Sequence, residues 1–182
     1  MSVTSLERTL TTLSHREPDR VPLFFTLTMH GARELGLPLH EYFTKAAHVI
    51  EGQQQLRARF GHDCFYAFCH ASIEHEAFGG ETHYAEAGPA NAGQPIFTSP
   101  DALDALEPPP IEGNTPLVRI LEIVAGLARA GKGEVPVVGV VISPFSLPIM
   151  QLGFGRTSTS STLRCTTSRT VAAVRSSIDS SP

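Results

Sequence analysis

Four short clusters hold most of the side chains able to do chemistry. They are Thr26-Leu27-Thr28-Met29-His30 with Arg33, Cys64 with Cys69-His70 and Ser72, Glu74-His75-Glu76, and Ser143-Pro144-Phe145. The imidazoles of His30 and His70 suit proton transfer near neutrality and metal ligation, although a lone loop histidine is more often solvated or hydrogen-bonded. Cys64, Cys69 and His70 invite a zinc reading that geometry discourages. Along an extended strand at about 3.3 Å per residue, Cys64 and His70 stand roughly 20 Å apart and cannot share an ion. Cys64 reads as a small core residue. Ser72 and Thr28 suit turns or caps. Glu74, His75 and Glu76, beside Ala77 and Phe78, read as the wet face of a short helix, and Arg20 as an ion-pair or capping residue.

The elements that must position these clusters follow from periodicity. Thr4-Ser5-Leu6-Glu7 is a capping box, and Leu6, Leu10 and Leu13 recur at helical spacing, so a helix opens the chain and ends before Pro18. Val21 to Phe25 is a wholly apolar run, the pattern of a strand buried on both faces. A helix from about Thr44 carries Val49, Ile50, Leu56 and Phe60 on one side, and Gly61 stands where a left-handed cap belongs. Asp63 to Phe68 reads as the next buried strand. Glu81 to Ala85 and Pro95 to Thr98 read as a hairpin around Gly88-Pro89. Thr115-Pro116 gives an N-cap and a proline at the first helical position, Leu117, Ile120, Leu121, Val124 and Leu127 form a stripe, and Gly131 stops that helix. Pro136 to Ile142 is the third apolar strand.

Apolar strands alternating with amphipathic helices define an α/β chain with a parallel sheet, doubly wound or closed as a barrel. The dinucleotide fingerprint is missing, since Val21 to Phe25 leads into Thr26-Leu27-Thr28-Met29-His30-Gly31, and Gly131-Lys132-Gly133 is not a phosphate loop.

Composition narrows the class. The 182 residues are 41% hydrophobic, enough for a core, and the formal net charge is −4. From Arg156 to Pro182 half the residues are Ser or Thr, with four Arg and only Asp179 acidic, so the body before it is near −7. That balance argues against nucleic acid, which selects a basic face. Met1 to Leu13 does not resemble a signal peptide, and no apolar run approaches the roughly 20 residues of a membrane span. A soluble, cytoplasmic protein is the expectation. Three cysteines do not form a disulfide framework. The change of composition at about Gly155 falls within an element, so we expect residues 1–155 to be one partial domain. Residues 156–182 read as a disordered tail, consistent with a chain cut short in a shifted reading frame.

The series Glu17-Pro18-Asp19-Arg20-Val21-Pro22, Phe60-Gly61-His62-Asp63, Glu74-His75-Glu76-Ala77-Phe78-Gly79-Gly80, Val135-Pro136-Val137-Val138-Gly139 and Ser143-Pro144-Phe145-Ser146-Leu147 resembles the N-terminal half of the uroporphyrinogen decarboxylase superfamily. The resemblance implies the first part of a (β/α)8 TIM barrel of about twice this length. It also implies a parent enzyme acting on a tetrapyrrole or corrinoid, either a cofactor-free decarboxylase of porphyrin biosynthesis or a zinc-dependent methyltransferase using a methylcobamide. In such a barrel function gathers at the C-terminal ends of strands. The resemblance therefore makes Thr28, His30, Arg33, His70, Ser143 and Phe145 the candidate substrate-binding residues, with Thr26, Cys69, Ser72 and Pro144 beside them. Pro144 and Phe145 either pack the turn out of the third strand or line a flat ligand.

Departures from the family separate its branches. Decarboxylases carry an Arg-rich segment after the first strand, where guanidinium groups pair with substrate carboxylates, whereas here only Arg33 is present. Their catalytic Asp follows the second strand, where this chain reads Phe68-Cys69-His70. A neutral imidazole does not replace a carboxylate that stabilises a pyrrolic cation. The Thr-rich segment instead resembles the corrinoid-dependent methyltransferase branch, whose zinc ligands belong to the C-terminal half and match nothing here. No catalytic residue and no metal ligand is assigned. The alternatives are an inactive fragment or a small non-enzymatic α/β binding module, with self-association through an exposed sheet edge.

Overall fold

The computed structural model describes residues 3–154 except 87, 100, 105 and 144, with the backbone alone at 103 and 104. The expected tail and Pro144 lie outside the described residues. The chain is mixed α/β and divides into two units.

The first unit runs through His70 and takes in Tyr84–Pro89 and Thr115–Val140. Helix α1 (Ser5–Leu13) starts with the expected capping box: Glu7 N–H donates to the Thr4 hydroxyl at 3.1 Å, and Thr4 N–H donates to the Glu7 carboxylate at 2.8 Å. The carbonyl of Glu134 accepts the Leu6 N–H at 2.8 Å, satisfying another donor of the first turn. The buried side of α1 is not the leucine stripe. Leu10 and Leu13 are exposed, and Ser5 and Arg8 are buried.

Asp63 is the reason for that inversion. Its fully buried carboxylate accepts from Ser5 Oγ at 2.9 Å, from Arg8 at 2.8 Å, from both terminal nitrogens of Arg20 at 2.7 and 2.9 Å, and from the Leu23 N–H at 2.8 Å. Arg8 also grips Asp19 with two bonds of 2.7 Å. A buried carboxylate persists only when so surrounded. Arg20 is thus an ion-pair residue, as its position in the sequence predicts.

The apolar run from Val21 to Phe25 is not a strand, and Val21, Leu23, Phe24 and Phe25 are exposed. Side chains occupy the hydrogen bonds that a strand ladder would use. Asp63 takes the Leu23 N–H, while Gln53 donates to the Leu27 carbonyl and accepts from the Tyr66 N–H, both at 3.2 Å. A single main-chain bond, Asp63 N–H to the Leu23 carbonyl at 2.8 Å, joins this segment to the start of the next.

Helices α2 (His30–Leu35) and α4 (Ala46–Phe60) pack together with Tyr42 of α3 (Leu39–Thr44) wedged beside them. A Cβ at Gly31 would overlap the Tyr42 ring and one at Gly52 would come within 2.8 Å of it, so both glycines make room for a large buried side chain. The helix expected from about Thr44 is α4, which starts at Ala46, and Lys45, extended at φ −123° and ψ 119°, separates it from the short α3 that precedes it. Gly61 closes α4 at φ 63°, as predicted. Val49, Gln53 and Leu56 are buried, whereas Phe60 is exposed.

Strands β1 (Phe65–Ala67) and β4 (Val137–Gly139) run parallel with Tyr66 opposite Val138, and α7 (Thr115–Gly131) connects toward β4 and packs on both. Both strands are shorter than the apolar runs that contain them. Helix α7 begins at Thr115 itself and ends at Gly131 as expected, with Lys132 in the left-handed region at φ 50°. Its buried face is Arg119, Ile123, Gly126 and Leu127, and Leu121 of the predicted stripe is exposed.

The second unit comprises Ala71–His83, Ala90–Asn114 and the chain from Val141. It holds α5 (Ile73–Ala77), the antiparallel pair β2 (Thr82–His83) and β3 (Asn91–Ala92), α6 (Asp101–Asp104) and α8 (Ser146–Leu152). A hairpin forms, but its second strand is Asn91–Ala92 rather than Pro95 to Thr98. In that later stretch the Phe97 N–H donates to the Gln151 carbonyl of α8 at 2.9 Å and is spent there. Among the described residues no helix is long and apolar enough to cross a membrane.

Candidate functional site

In the first unit the candidate residues follow Phe25 and β1. Thr26 is exposed, and its carbonyl accepts the Thr28 N–H at 3.0 Å, a tight turn that leaves Thr28 half-buried. His30 is exposed at the first position of α2, and no side chain caps that helix. Arg33 is exposed in the last turn of α2, where a cation complements the helix dipole.

His70 has a different setting. It is 2% exposed. Its Nε2 lies 3.4 Å from the Tyr84 hydroxyl, and its ring stands edge-on to Phe43 at 5.9 Å and to Tyr84 at 5.6 Å. Tyr84 in turn meets the ring of His40 at 4.8 Å. The neighbouring Cys69 is buried and donates to the Phe43 carbonyl at 3.1 Å, which also accepts from Arg119 at 3.4 Å. A buried imidazole on a phenol hydroxyl is oriented and can hold or pass one proton. Tyr84 and His40 escaped the sequence reading because only tertiary packing brings them to His70.

Other buried groups of this unit are structural. Cys64 is buried, its thiol pushed up by burial, with the Thr9 hydroxyl 3.9 Å away. His62 is buried beside Phe25, and burial followed by the nearby Arg57 pushes its imidazole down.

In the second unit Ser143 is exposed and works as a turn residue. Its hydroxyl accepts the Phe145 N–H at 3.3 Å and the Ser146 N–H at 3.2 Å, starting α8. Phe145, at the N-cap of α8, is exposed. Ser72 precedes α5, is fully buried, and meets the Thr82 hydroxyl at 3.2 Å. Glu74-His75-Glu76 lie on a short helix but are not its wet face. His75 is fully buried, and Glu74 accepts the Ile142 N–H at 2.9 Å. Among the described residues neither ring nitrogen of His75 has a hydrogen-bond partner, and burial alone pushes its imidazole down. A Cβ at Gly80 would overlap that ring, so the Gly79-Gly80 pair lets the backbone close over it. Thr28, His30, Arg33 and His70 thus belong to one unit and Ser143 and Phe145 to the other.

The chain belongs to the uroporphyrinogen decarboxylase (URO-D) family, whose model matches residues 4–175. Among solved structures, a methyltransferase from Methanosarcina mazei superposes with a TM-score of 0.76 at 16% identity, over 92% of this chain and 53% of that one. The chain therefore spans about half the length of the methyltransferase it matches. No curated protein sequence matches it.

Proposed function

We propose that this chain supplies the first βα units of a (β/α)8 barrel that binds a tetrapyrrole or corrinoid at its rim. Within the family it stands nearer the corrinoid-dependent methyltransferases than the classical decarboxylases. The observation that carries this reading is His70, a buried imidazole held against Tyr84 at the end of β1, where the resemblance calls for a decarboxylase carboxylate. The likeness to a methyltransferase supports the same branch. Decarboxylation of a pyrrolic acid develops positive charge that a carboxylate stabilises and a neutral imidazole does not. Arg33 alone is one guanidinium for a substrate bearing several carboxylates.

A zinc ion would hold an acceptor thiol as thiolate in such a methyltransferase. Among the described residues no group of three or more His, Cys, Asp or Glu is arranged to hold a metal. These residues do not fit that ion. What the chain's own groups supply is recognition: an oriented imidazole at His70 and a single cation at Arg33.

The test is a spectrophotometric titration of the purified chain with methylcobalamin and, separately, with uroporphyrin. Saturable corrinoid binding that weakens at least tenfold in His70→Ala is the expected result. Binding of uroporphyrin alone would move the chain to the decarboxylase branch, and binding of neither would favour the inactive-fragment alternative.

A further inference from the structure

His75 is the least satisfied buried side chain of the second unit. Its ring is fully buried, and among the described residues neither nitrogen has a partner, although a neutral imidazole always carries one donor and one acceptor. The cover over it is backbone. Gly79 turns the chain at φ 88°, Gly80 lies against the Nε2 edge where a Cβ would not fit, and the Gly80 N–H closes the loop on the His75 carbonyl at 2.9 Å. The acidic side chains of α5 are engaged elsewhere. Glu74 accepts the Ile142 N–H at 2.9 Å, and Glu76 meets the Thr82 hydroxyl at 3.5 Å. Of the elements packed on α5, α8 has no ionisable side chain and β2 brings His83, which is exposed, as is Glu81 before it.

We infer that α5 and the Gly79-Gly80 turn form a proton-operated latch, closed over neutral His75 and opened when that ring takes up a proton. An imidazolium carries two N–H donors and a full charge, and a dry site without acceptors does not hold it. In the opened segment the ring meets water and titrates near its ordinary 6.5, whereas burial keeps it neutral in the closed one. The closed state is therefore fully favoured above about pH 6.5, and its equilibrium against the open one falls about tenfold for each pH unit below that. Opening reaches past the ring. Glu74 of the same helix holds Ile142, and the next residue, Ser143, starts α8 with its hydroxyl, so the latch governs the turn that carries Ser143 and Phe145. Two glycines suit the moving part, because they change φ and ψ without a side-chain clash. The latch belongs to the second unit and does not depend on the proposed function.

Hydrogen exchange of the full chain followed by NMR tests it, with each rate divided by its intrinsic value at the same pH. Between about pH 7.5 and about pH 5.5 the protection of the Gly80 and Ile142 amides should fall about tenfold. His75→Leu, of similar size and unable to titrate, should hold that protection constant to within about twofold. The wild-type His75 ring, followed by its carbon and nitrogen shifts, should show no titration midpoint near 6.5. Should His75→Leu unfold, the ring shifts and the wild-type protection decide together. Wild-type protection unchanged with pH, the same pH dependence in His75→Leu, or a ring that titrates near 6.5 with Gly80 still protected would overturn the inference.

Discussion

Leu23 and Asp63 exchange two hydrogen bonds of 2.8 Å, the Leu23 N–H donating to the Asp63 carboxylate and the Asp63 N–H donating to the Leu23 carbonyl. A side chain thereby completes what two strands would otherwise complete with main chain. The same carboxylate neutralises Arg8 and Arg20, so one residue ties α1, the segment after Asp19 and the entry to β1. Asp63→Ala leaves the buried Arg8 with Asp19 as its remaining carboxylate partner. The expected loss is about 3–5 kcal/mol in urea unfolding, the range for removing one partner of a buried pair. A loss under about 1 kcal/mol would contradict the role of Asp63.

Acid stability should follow Asp63. Burial raises its pKa, but the Leu23 N–H, Arg20, Ser5 and Arg8 together outweigh that and bring it from 3.8 to about 2. The unfolded chain takes up the proton first as pH falls. The contribution of Asp63 is therefore full above about pH 4 and is lost between there and about pH 2. A carboxyl carbon NMR titration of Asp63 should give a midpoint near 2, and a midpoint near 4 would refute the network.

Gln53 is the second bridge. Gln53→Leu keeps the volume but leaves the Tyr66 N–H and the Leu27 carbonyl without this partner, at an expected cost of about 1–3 kcal/mol for each buried group left unsatisfied. Hydrogen exchange at the Tyr66 amide should accelerate by at least tenfold. Unchanged exchange at Tyr66 would show that the bridge is dispensable.

Gly80→Ala should destabilise the second unit, since the new methyl overlaps His75. Adding His75→Ala should recover part of the loss, a non-additivity that only direct contact produces. If the two effects simply add, the ring and the glycine do not share that space.

With His70 in place of a carboxylate and Arg33 as the one arginine of its segment, the purified chain should show no decarboxylation of uroporphyrinogen above the uncatalysed rate. Product analysis by chromatography is the check. Turnover abolished by His70→Ala would make that imidazole the catalytic group.

Features governed by neighbouring residues were legible in the sequence. Thr4 with Glu7, Gly61 after α4 and Gly131 at the end of α7 all mark boundaries through local chemistry, and the structure has them there. The apolar run Val21–Phe25 misled for a physical reason: hydrophobicity predicts burial, while pairing depends on donors and acceptors supplied by Asp63 and Gln53 far along the chain. The α1 stripe misled likewise, since Arg8 is worth burying only beside Asp63. His70 stands out by residue type, but nothing local in the sequence points to Tyr84. The Glu74-His75-Glu76 helix was legible, and its burial was not, because the glycine that closes over His75 reads in sequence only as a turn.

The pairing of Tyr66 with Val138 sets an order of events in synthesis. Strand β1 leaves the ribosome long before β4 exists, so its outer edge must wait through the translation of α7. Parallel pairing between such distant segments is slow. The Phe65 amide, which donates to the Pro136 carbonyl at 2.9 Å in the folded chain, is on the edge that waits. Gln53 and Asp63, already emerged, take the Tyr66 and Leu23 amides and keep them, so these two polar side chains close the opposite edge of β1 for good while the edge toward β4 is still open.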